Sequence, residues 1–468
     1  MDVKFVLRTN SGRTIMATQS AVEETRRCLN NIERFDSLVN AYIHVIPESA
    51  RKEAEAIDQA REQGISKGVL NGIPISVKDC IDVAGVPCTN GSTFFKDYVP
   101  KEDALIVKRL RKAGAVILGK TNLHEFAYGS TTQNPHYGST RNPWDLDRIP
   151  SGSSGGAGAS VAAQMCVGAV GSDTGGSVRT PAAINGVTGL RPSMGAIPMT
   201  GSFTRICPAI DTVGPLGATV EIVARMFAAM TGYDDQDLYS VKKEQPEFLD
   251  TLDVGIEGCR IGLPRKFFLE NLEEGVGSAV EAAAHKLAEL GAEIVEVELK
   301  DAEHAQQSIM PMVWADAYEY HRDRAENSPE RFGHDVLDRI LLGREISGRD
   351  YAAALRAREL WNRTVDRTLE RVDVILTPTT PITAPLIEDS DDMLSTTHHL
   401  TRFTYLFSWS GLPGLSVPCG FTKSGMPIGL LLNGRPWEEE ILFQIGSCYQ
   451  DHTDWHERIA PLLSTGSE

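Results

Sequence analysis

The sequence predicts an α/β fold, because strand-like apolar segments alternate with amphipathic helical segments. The first example is the apolar segment GIPISVKD (72–79), which precedes a predicted helix, DALIVKRLRKAG (103–114). That helix ends at a glycine and leads directly into the apolar strand AVILGK (115–120). No internal repeat and no low-complexity linker interrupts the 468 residues, so we expect one large α/β domain.

The other elements are predicted from the same signals, in chain order. Residues 19–64 are predicted to form two helices, the second running from about Glu48 to Gln63 and closed by Gly64. Residues 129–160 keep no helical period and are rich in Gly, Ser, Thr, Asn and Pro, which indicates a loose or site-forming loop. Further helices are predicted at about 219–231, 274–290 and 302–371, and further strands at 260–264, 292–299, 372–381, 414–421 and 426–434. We expect residues 1–65 to form a helical segment packed on the core and residues 66–468 to form the rest of the domain.

The chain is acidic, with 63 Asp and Glu residues against 46 Lys and Arg and a formal net charge of -17 at pH 7. Binding to nucleic acid or to an anionic membrane needs a basic surface. No Lys/Arg-rich run reverses the balance locally, so we expect no direct contact with nucleic acid and no membrane contact.

Export, metal binding and disulfide formation have no signal in the sequence. The N-terminal residues MDVKFVLRTNSGRTIMAT lack an apolar core, and no stretch approaches the roughly 20 apolar residues of a membrane span. The eight cysteines form no C-x-x-C pair, and H-E-x-x-H is absent. We expect a cytoplasmic protein with reduced, mostly buried thiols, no metal and no cofactor.

Two glycine-rich segments carry candidate nucleophiles. The first is PSGSSGGAGAS, with Ser153 and Ser154 between glycines, and the second is GSDTGGSVRTPAA, with Ser177 after Gly175 and Gly176. Glycines allow a tight turn and the close approach of a substrate. Successive backbone N–H groups and the start of a helix after Ser177 would together favour a negative charge, as an oxyanion hole requires.

A serine nucleophile needs a base, and no histidine lies in or beside these two segments. Lys78 ends an apolar strand in which Pro74, Ser76 and Lys78 share one face. Burial lowers the pKa of a lysine, and only a neutral lysine accepts a proton. Taken singly, a Gly-Gly-Ser is usually a turn, and a lysine at a strand end is usually a solvated surface residue.

Two other interpretations of the glycine-rich segments fit less well. A phosphate-binding loop is not supported, since neither G-x-x-x-x-G-K-[ST] nor G-x-G-x-x-G is present there. The run Gly152–Gly156 matches G-x-S-x-G, the nucleophile elbow of α/β-hydrolases, with Ser154 as nucleophile. That motif should follow a buried strand directly, whereas here it follows the polar, proline-broken RNPWDLDRIP.

In order along the chain, the lysine of GIPISVKD, the paired serines of SGSSGG and the serine of GSDTGGSVRTPAA resemble the amidase signature family. Ser153 and Ser177 are 24 residues apart, as the two catalytic serines of that family usually are. The resemblance extends from about residue 40 to 462 and implies the family's fold, a large mixed β-sheet covered by helices on both faces. Segments similar to the family include AGAVILGKTNLHEFA, GVTGLRPSMG, DTVGPL, VDVILTPTTPITAP, SGLPGLSVPCGF and TDWHERIAPL.

The resemblance implies a Ser–cis-Ser–Lys triad in place of Ser–His–Asp. Ser177 would attack the carbonyl, and Ser153, after a cis Gly152–Ser153 peptide, would pass its proton to neutral Lys78. The N–H groups of residues 174–177 (Thr174, Gly175, Gly176 and Ser177) would form the oxyanion hole. Asp173 and Arg179 would support the loop, with a purely structural salt bridge as the alternative, and Ser154 would bond near Lys78.

Two departures from the family pattern bear on function. Ser151 replaces the first glycine of the usual Gly-Gly-Ser-Ser, just outside the triad. The A subunit of the tRNA-dependent amidotransferase carries an Asp shortly before GLPG that helps to hold glutamine, and here Thr401 stands in its place, while Arg339 corresponds to an arginine of that protein.

We therefore predict an amidohydrolase that cleaves linear amides through an acyl-enzyme, and the alternative is a glutamine-hydrolysing A subunit of a tRNA-dependent amidotransferase. The predicted partners are a small-molecule amide substrate and, as one possibility, a second copy of the chain. Loops such as MTGSFTRICPA (199–209) are expected to line the substrate pocket.

Overall fold

The computed structural model describes residues 20–202, 206–244 and 248–464, and most of its strands belong to one mixed sheet. The N-terminal segment for which no export signal is predicted lies outside the described residues. The strands are β1 (Tyr42–Val45), β2 (Pro74–Lys78), β3 (Val116–Thr121), β4 (Gln133–Asn134), β5 (Gly138–Ser139), β6 (Gly168–Asp173), β7 (Thr188–Arg191), β8 (Thr212–Gly217), β9 (Arg260–Pro264), β10 (Glu293–Val297), β11 (Val374–Pro378), β12 (Gly414–Phe421) and β13 (Pro427–Gly434).

The sheet has eleven strands in the order β1-β3-β2-β6-β8-β7-β12-β13-β11-β9-β10, and β4 and β5 form a separate pair. Strands β3, β2 and β6 are parallel to one another, as are β11, β9 and β10. The strands from β6 through β8, β7, β12 and β13 to β11 pair antiparallel, and so does β1 with β3.

Helices cover both faces of this sheet, as predicted. Every residue of β2, β3, β6, β8 and β13 is buried, and successive residues of a strand point to opposite faces. The helices are α1 (Ala21–Val39), α2 (Pro47–Glu62), α3 (Leu105–Lys112), α4 (Gly155–Ala162), α5 (Arg179–Asn185), α6 (Val220–Met230), α7 (Val276–Glu289), α8 (Ala302–Ser308), α9 (Met310–Asn327), α10 (His334–Leu342), α11 (Gly348–Leu369), α12 (Met393–Leu400), α13 (Thr404–Trp409) and α14 (Glu439–Asp451). In the described ranges no helix combines the length and the apolar character needed to cross a membrane.

Side-chain caps explain where several of these helices begin. Thr219 accepts a hydrogen bond from the N–H of Ile222 at the start of α6. Ser347 and Asp350 form a reciprocal capping box at the start of α11. Such caps satisfy N–H groups that have no partner within the helix.

The site lies where two neighbouring parallel strands end. Strand β2 pairs with β6 in parallel register, with Val77 opposite Val170. Because parallel strands end at the same edge of a sheet, Lys78 at the end of β2 lies near Ser172 and Asp173 at the end of β6.

Some elements differ from the prediction. Strand β1 lies between the two helices predicted for residues 19–64 and adds an edge to the sheet. Helix α4 begins at Gly155, inside the segment predicted as a loop. Nearly all of its residues are small and buried, so they show no amphipathic period from which a helix could be predicted. The division of the chain at residue 65 stays a prediction.

Candidate active site

Lys78 is fully buried and contacts three serine hydroxyls. Its Nζ lies 2.7 Å from Ser153 Oγ, 2.9 Å from Ser154 Oγ and 2.8 Å from Ser172 Oγ. Strand β2 brings the lysine to this point, and the turn before α4 brings the paired serines. Burial lowers the pKa of Lys78 to about 8 from 10.5, so that a neutral amine is accessible near physiological pH.

The hydroxyl of Ser154 is already committed as a donor. It donates to the carbonyl of Ser172 over 3.2 Å and accepts from the N–H of Ser172 over 3.3 Å. It therefore accepts its hydrogen bond from Lys78. A neutral amine has two N–H donors and one lone pair, so Lys78 can donate to Ser154 and Ser172 and accept from Ser153.

The turn that carries Ser153 is fixed by polar contacts. The Gly152–Ser153 peptide is cis, and Ser151 has φ of 63°. Thr132 Oγ1 donates to the carbonyl of Ser151 over 2.7 Å and accepts from the N–H of Gly155 over 3.2 Å. A Cβ at Gly155 would overlap this hydroxyl, so only glycine fits there.

Ser177 follows a turn that admits no side chains. A Cβ at Gly175 would overlap the ring of Tyr405. A Cβ at Gly176 would overlap Thr404 Oγ1, and the φ of Gly176 is 139°, which L side chains rarely adopt. The glycines therefore let helix α13 pack directly on this turn.

A buried ion cluster lies beneath the Ser177 turn. The carboxylate of Asp173 accepts from Arg179 at 2.9 Å and from Arg191 at 3.1 Å, and all three side chains are fully buried. Burial alone would raise the pKa of Asp173, but the two arginines hold it well below its usual range. Burial lowers the pKa of Arg191 to about 10, which leaves it charged at neutral pH. Sequence reasoning found Asp173 and Arg179 but missed Arg191, whose one signal was an arginine in a short apolar strand.

Direct hydrogen bonds join the two serine turns. The N–H of Ser154 donates to the carbonyl of Ser177 over 3.3 Å. The hydroxyl of Thr180 donates to the carbonyl of Gly152 over 3.1 Å and accepts from Ser151 Oγ over 3.0 Å. The structure thus brings together Lys78 and the two serine turns that the sequence singled out.

Ser177 borders a small cavity of about 30 Å³. The aromatic side chains Tyr128, Trp314 and Tyr405 line it, and so does Ile206 from the predicted pocket loop 199–209. Residues 203–205 of that loop lie outside the described residues. The cavity lies next to the one serine that follows the Gly-Gly turn.

Arg339 also lines this cavity, and it is almost wholly buried. It donates to the carbonyl of Tyr128 over 2.9 Å and pairs with Asp335 at 2.8 Å. His124 Nε2 lies 3.1 Å from the same carboxylate. The N–H of Thr132 donates to His124 Nδ1 over 3.3 Å, which leaves the ring proton on Nε2, facing Asp335.

Thr401 lines the cavity as well, but its hydroxyl is used elsewhere. It donates to the carbonyl of Thr397 over 2.7 Å, within helix α12 and its C-cap. Among the described residues that line the cavity, none is Asp or Glu. Burial, followed by the charge of Arg339, lowers the pKa of His398, another lining residue. Arg339 is therefore the permanently charged side chain among the described residues that line the cavity.

A family model described as Amidase matches residues 23–443. The chain belongs to the amidase signature family. It is thus an amidase-family hydrolase of C–N bonds, and its α/β fold is that of the family's solved members.

Curated and solved relatives cover nearly the whole chain. The A subunit of glutamyl-tRNA(Gln) amidotransferase from Carboxydothermus hydrogenoformans is 37% identical over 463 residues, covering 94% of this chain and 95% of the relative. The solved A subunit of the same enzyme from Thermotoga maritima is 33% identical with a TM-score of 0.79, covering 92% of both chains. A structure from work on the evolutionary origins of an s-triazine catabolic enzyme is 35% identical with a TM-score of 0.88, covering 93% of this chain and 96% of that one.

The predicted partners are contradicted by these relatives. We expected a small-molecule amide, no nucleic acid, no membrane and possible pairing with a second copy. The two A subunits just described belong to an enzyme named for a glutamyl-tRNA, so the prediction of a chain that acts on a small amide with no link to nucleic acid or to partner subunits is wrong. Its error lies in its physical premise, since a net charge averages over the whole surface and says nothing of partner chains.

Proposed function

We propose that this chain is the amide-hydrolysing A subunit of an amidotransferase assembly, which releases ammonia from glutamine for transfer to an acyl group held elsewhere in the assembly. The observation that carries the proposal is its similarity, over nearly the full length, to the A subunits of glutamyl-tRNA(Gln) amidotransferases. The contacts of Lys78 with both serines of the first turn support it, because they supply the base that hydrolysis needs. The proposed location is the cytoplasm.

In the proposed mechanism Ser177 Oγ attacks the carboxamide carbon. Its proton passes to Ser153 Oγ while the proton of Ser153 passes to neutral Lys78. The N–H groups of Gly175, Gly176 and Ser177 receive the negative charge that develops on the carbonyl oxygen. The C–N bond then breaks, the relay returns the proton to the leaving nitrogen, and ammonia departs. Water or another acceptor next attacks the Ser177 ester by the reverse proton path.

Arg339 is proposed to bind the substrate's carboxylate. A guanidinium offers two parallel N–H donors to a carboxylate, and charge-assisted bonds of this kind are about twice as strong as neutral ones. The Nε of Arg339 is buried and has no partner within the described part of the chain. The α-ammonium of glutamine would meet the rings of Tyr128, Trp314 and Tyr405, whose faces attract cations.

A second candidate function, hydrolysis of a linear amide that has no ammonium group, is favoured by Thr401. This hydroxyl stands where an acidic side chain would complete the recognition of glutamine, and the described lining residues supply no carboxylate in its place. Desolvating an ammonium without a charged partner is costly. A substrate that lacks this group avoids the cost.

A matched pair of substrates distinguishes the two candidates. Glutaramate is glutamine without its α-amino group, so both offer the same amide and the same carboxylate. The purified chain, alone and with its co-purifying partner chains, is given each compound, and ammonia release is measured. The first candidate expects glutamine to be used with kcat/KM at least equal to that for glutaramate. Cleavage of glutaramate or of neutral aryl amides, with glutamine inert under both conditions, would contradict it and favour the second.

Two variants sharpen this test. Arg339→Met should raise KM for both carboxylate-bearing substrates but leave a neutral amide unaffected. Thr401→Asp should improve the use of glutamine relative to glutaramate, because it restores an anionic partner for the ammonium. If Thr401→Asp does not change the ratio of kcat/KM for glutamine to that for glutaramate, the ammonium does not lie near Thr401. The argument for the second candidate then fails.

A further inference from the structure

In each of the four peptide groups of the Ser177 turn, the carbonyl accepts a hydrogen bond on the side opposite to the N–H. A trans peptide is planar, with its C=O and N–H pointing in opposite directions. A donor that fixes the carbonyl therefore fixes the direction of the N–H on the other side. This matters because the N–H groups of Gly175, Gly176 and Ser177 are the ones proposed to bind the oxyanion.

Arg191 bonds the first two carbonyls. Its Nη1 donates to the carbonyl of Asp173 over 2.7 Å, and the N–H of the same peptide belongs to Thr174. The same nitrogen lies 3.5 Å from the carbonyl of Thr174, whose peptide carries the N–H of Gly175. The other Nη of Arg191 donates to the carbonyl of Ile210 over 2.7 Å, which fixes the guanidinium itself.

Two threonines bond the remaining carbonyls. Thr404 Oγ1 donates to the carbonyl of Gly175 over 2.6 Å, and that peptide carries the N–H of Gly176. The N–H of Thr180 donates to the carbonyl of Gly176 over 2.7 Å, and that peptide carries the N–H of Ser177.

The N–H groups on the opposite side remain available. In the described part of the chain, no acceptor is paired with the N–H of Gly175, Gly176 or Ser177. Gly175 and Ser177 border the cavity. Buried N–H groups are usually paired, so three consecutive unpaired ones, in a turn whose Gly175 and Ser177 border a cavity, indicate a place for a negative oxygen.

We propose that Thr404 is a positioning residue of the oxyanion hole, which acts through the Gly175 carbonyl to aim the N–H of Gly176 at the oxygen of the attacked amide. Arg191 and Thr180 do the same for the neighbouring peptides. This inference rests on the proposed role of Ser177 as nucleophile.

Among these donors, Thr404 is the one on which the orientation of its peptide group depends most. The peptide that it bonds joins two glycines, which restrict rotation least of all residues. Its own backbone is held separately, because its carbonyl accepts from Arg179 over 3.1 Å. Removing the hydroxyl alone would thus release the Gly175–Gly176 peptide and leave helix α13 in place.

The test compares Thr404→Val, which keeps the shape and loses the hydroxyl, with Thr404→Ser, which keeps the hydroxyl and loses a methyl group. Thr368→Val is the control, since Thr368 is a buried threonine whose hydroxyl donates to Thr364 within α11. The probe is an alkyl fluorophosphonate, so the substrate need not be known. Ser177 Oγ forms the bond to phosphorus, fluoride leaves, the serine proton passes into the relay, and the phosphoryl oxygen occupies the oxyanion hole.

Labelling is measured across probe concentrations to separate the maximal rate from the half-saturating concentration. For Thr404→Val the maximal rate should fall about 10-fold or more, less than the roughly 100- to 1,000-fold cost of removing an oxyanion donor, because the N–H is misdirected and not removed. Half-saturation should stay within about twofold, since the ground state gains little from the hole. Thr404→Ser should recover most of the rate, and Thr368→Val should match the unmodified chain.

An equal loss of rate in Thr404→Val and Thr404→Ser would overturn the proposal, because packing and not the hydroxyl would then be responsible. A loss confined to half-saturation, or no change in Thr404→Val, would overturn it as well. If the unmodified chain is not labelled at Ser177, the assignment of the nucleophile fails, and this inference fails with it. Normal labelling of the unmodified chain together with an unchanged Thr404→Val refutes this inference alone.

Discussion

The proton on Lys78 should control the rate of acylation, and its loss should be visible near pH 8. With the pKa lowered by burial to about 8, about 10% of the amine is neutral at pH 7 and about 90% at pH 9. An ordinary lysine with a pKa of 10.5 would be neutral in only about 0.03% of molecules at pH 7. Burial therefore raises the neutral fraction roughly 300-fold, which corresponds to about 3 kcal/mol.

The direction of the effect follows from the role of the base. Only the neutral amine accepts a proton, so the rate should rise as the pH passes upward through the pKa of Lys78 and should level off above it. From pH 7 to pH 9 the expected increase is about tenfold. The rate constant of fluorophosphonate labelling at Ser177, followed from pH 6 to 10 by intact mass, reports this step without the complication of product release.

Two variants serve as references for this profile. Lys78→Ala should lower the rate by several orders of magnitude, because base and nucleophile act as a unit. Lys78→Arg should be as slow, since a guanidinium keeps its proton throughout this range. A flat profile in the unmodified chain, an inflection near 10.5, or an undiminished rate in Lys78→Ala would each refute the reasoning.

Three further predictions concern the Ser177 turn. Ser177→Ala should abolish fluorophosphonate labelling and turnover together; labelling at another serine, measured by peptide mass, would disprove the nucleophile assignment. Arg179→Met should lower the free energy of unfolding by about 3–5 kcal/mol in a denaturant titration, because it leaves part of a buried ion cluster unpaired, whereas Arg322→Met, at an exposed pair, should change it little. Equal losses of unfolding free energy in the two variants would contradict the argument that the buried ion cluster is the more costly one to break. Gly175→Ala should abolish labelling through its clash with an aromatic ring, while Gly255→Ala, which has open space around it, should be normal; an active Gly175→Ala would show that the turn can move.

Sequence patterns located the strands that have a continuous apolar run and missed those that do not. The strands at 374–378 and 427–434 were predictable because each contains three consecutive large apolar residues. Strands Gly168–Asp173 and Thr212–Gly217 contain glycine, serine or proline, which disfavour strands on their own. They form because neighbouring strands pair with them on both sides, and a single sequence does not reveal that pairing.

At the candidate site, the sequence indicated the residues proposed to carry the chemistry but not the residues proposed to position them. Lys78 and the two serine turns have local signals, namely a charge in an apolar strand and glycines around a serine. Thr404 lies 227 residues beyond Ser177 in the chain, and a lone threonine in an apolar helix carries no signal. Its contact depends on how helix α13 packs against the turn, which only the tertiary structure defines.

Because Arg339 forms an ion pair with Asp335, it can attract a negatively charged substrate only over a short distance. From a Debye length away, the cation and its carboxylate nearly cancel, and an approaching anion meets the net negative charge of the chain. Attraction begins only at contact, when the substrate's carboxylate reaches the guanidinium. Added salt should therefore speed the encounter with anionic amides by screening the long-range repulsion, while the proton relay, built from a neutral amine and hydroxyls, should be indifferent to it. An enzyme with the proposed function would thus select its substrate by fit at the cavity wall and gain no advantage from electrostatic steering.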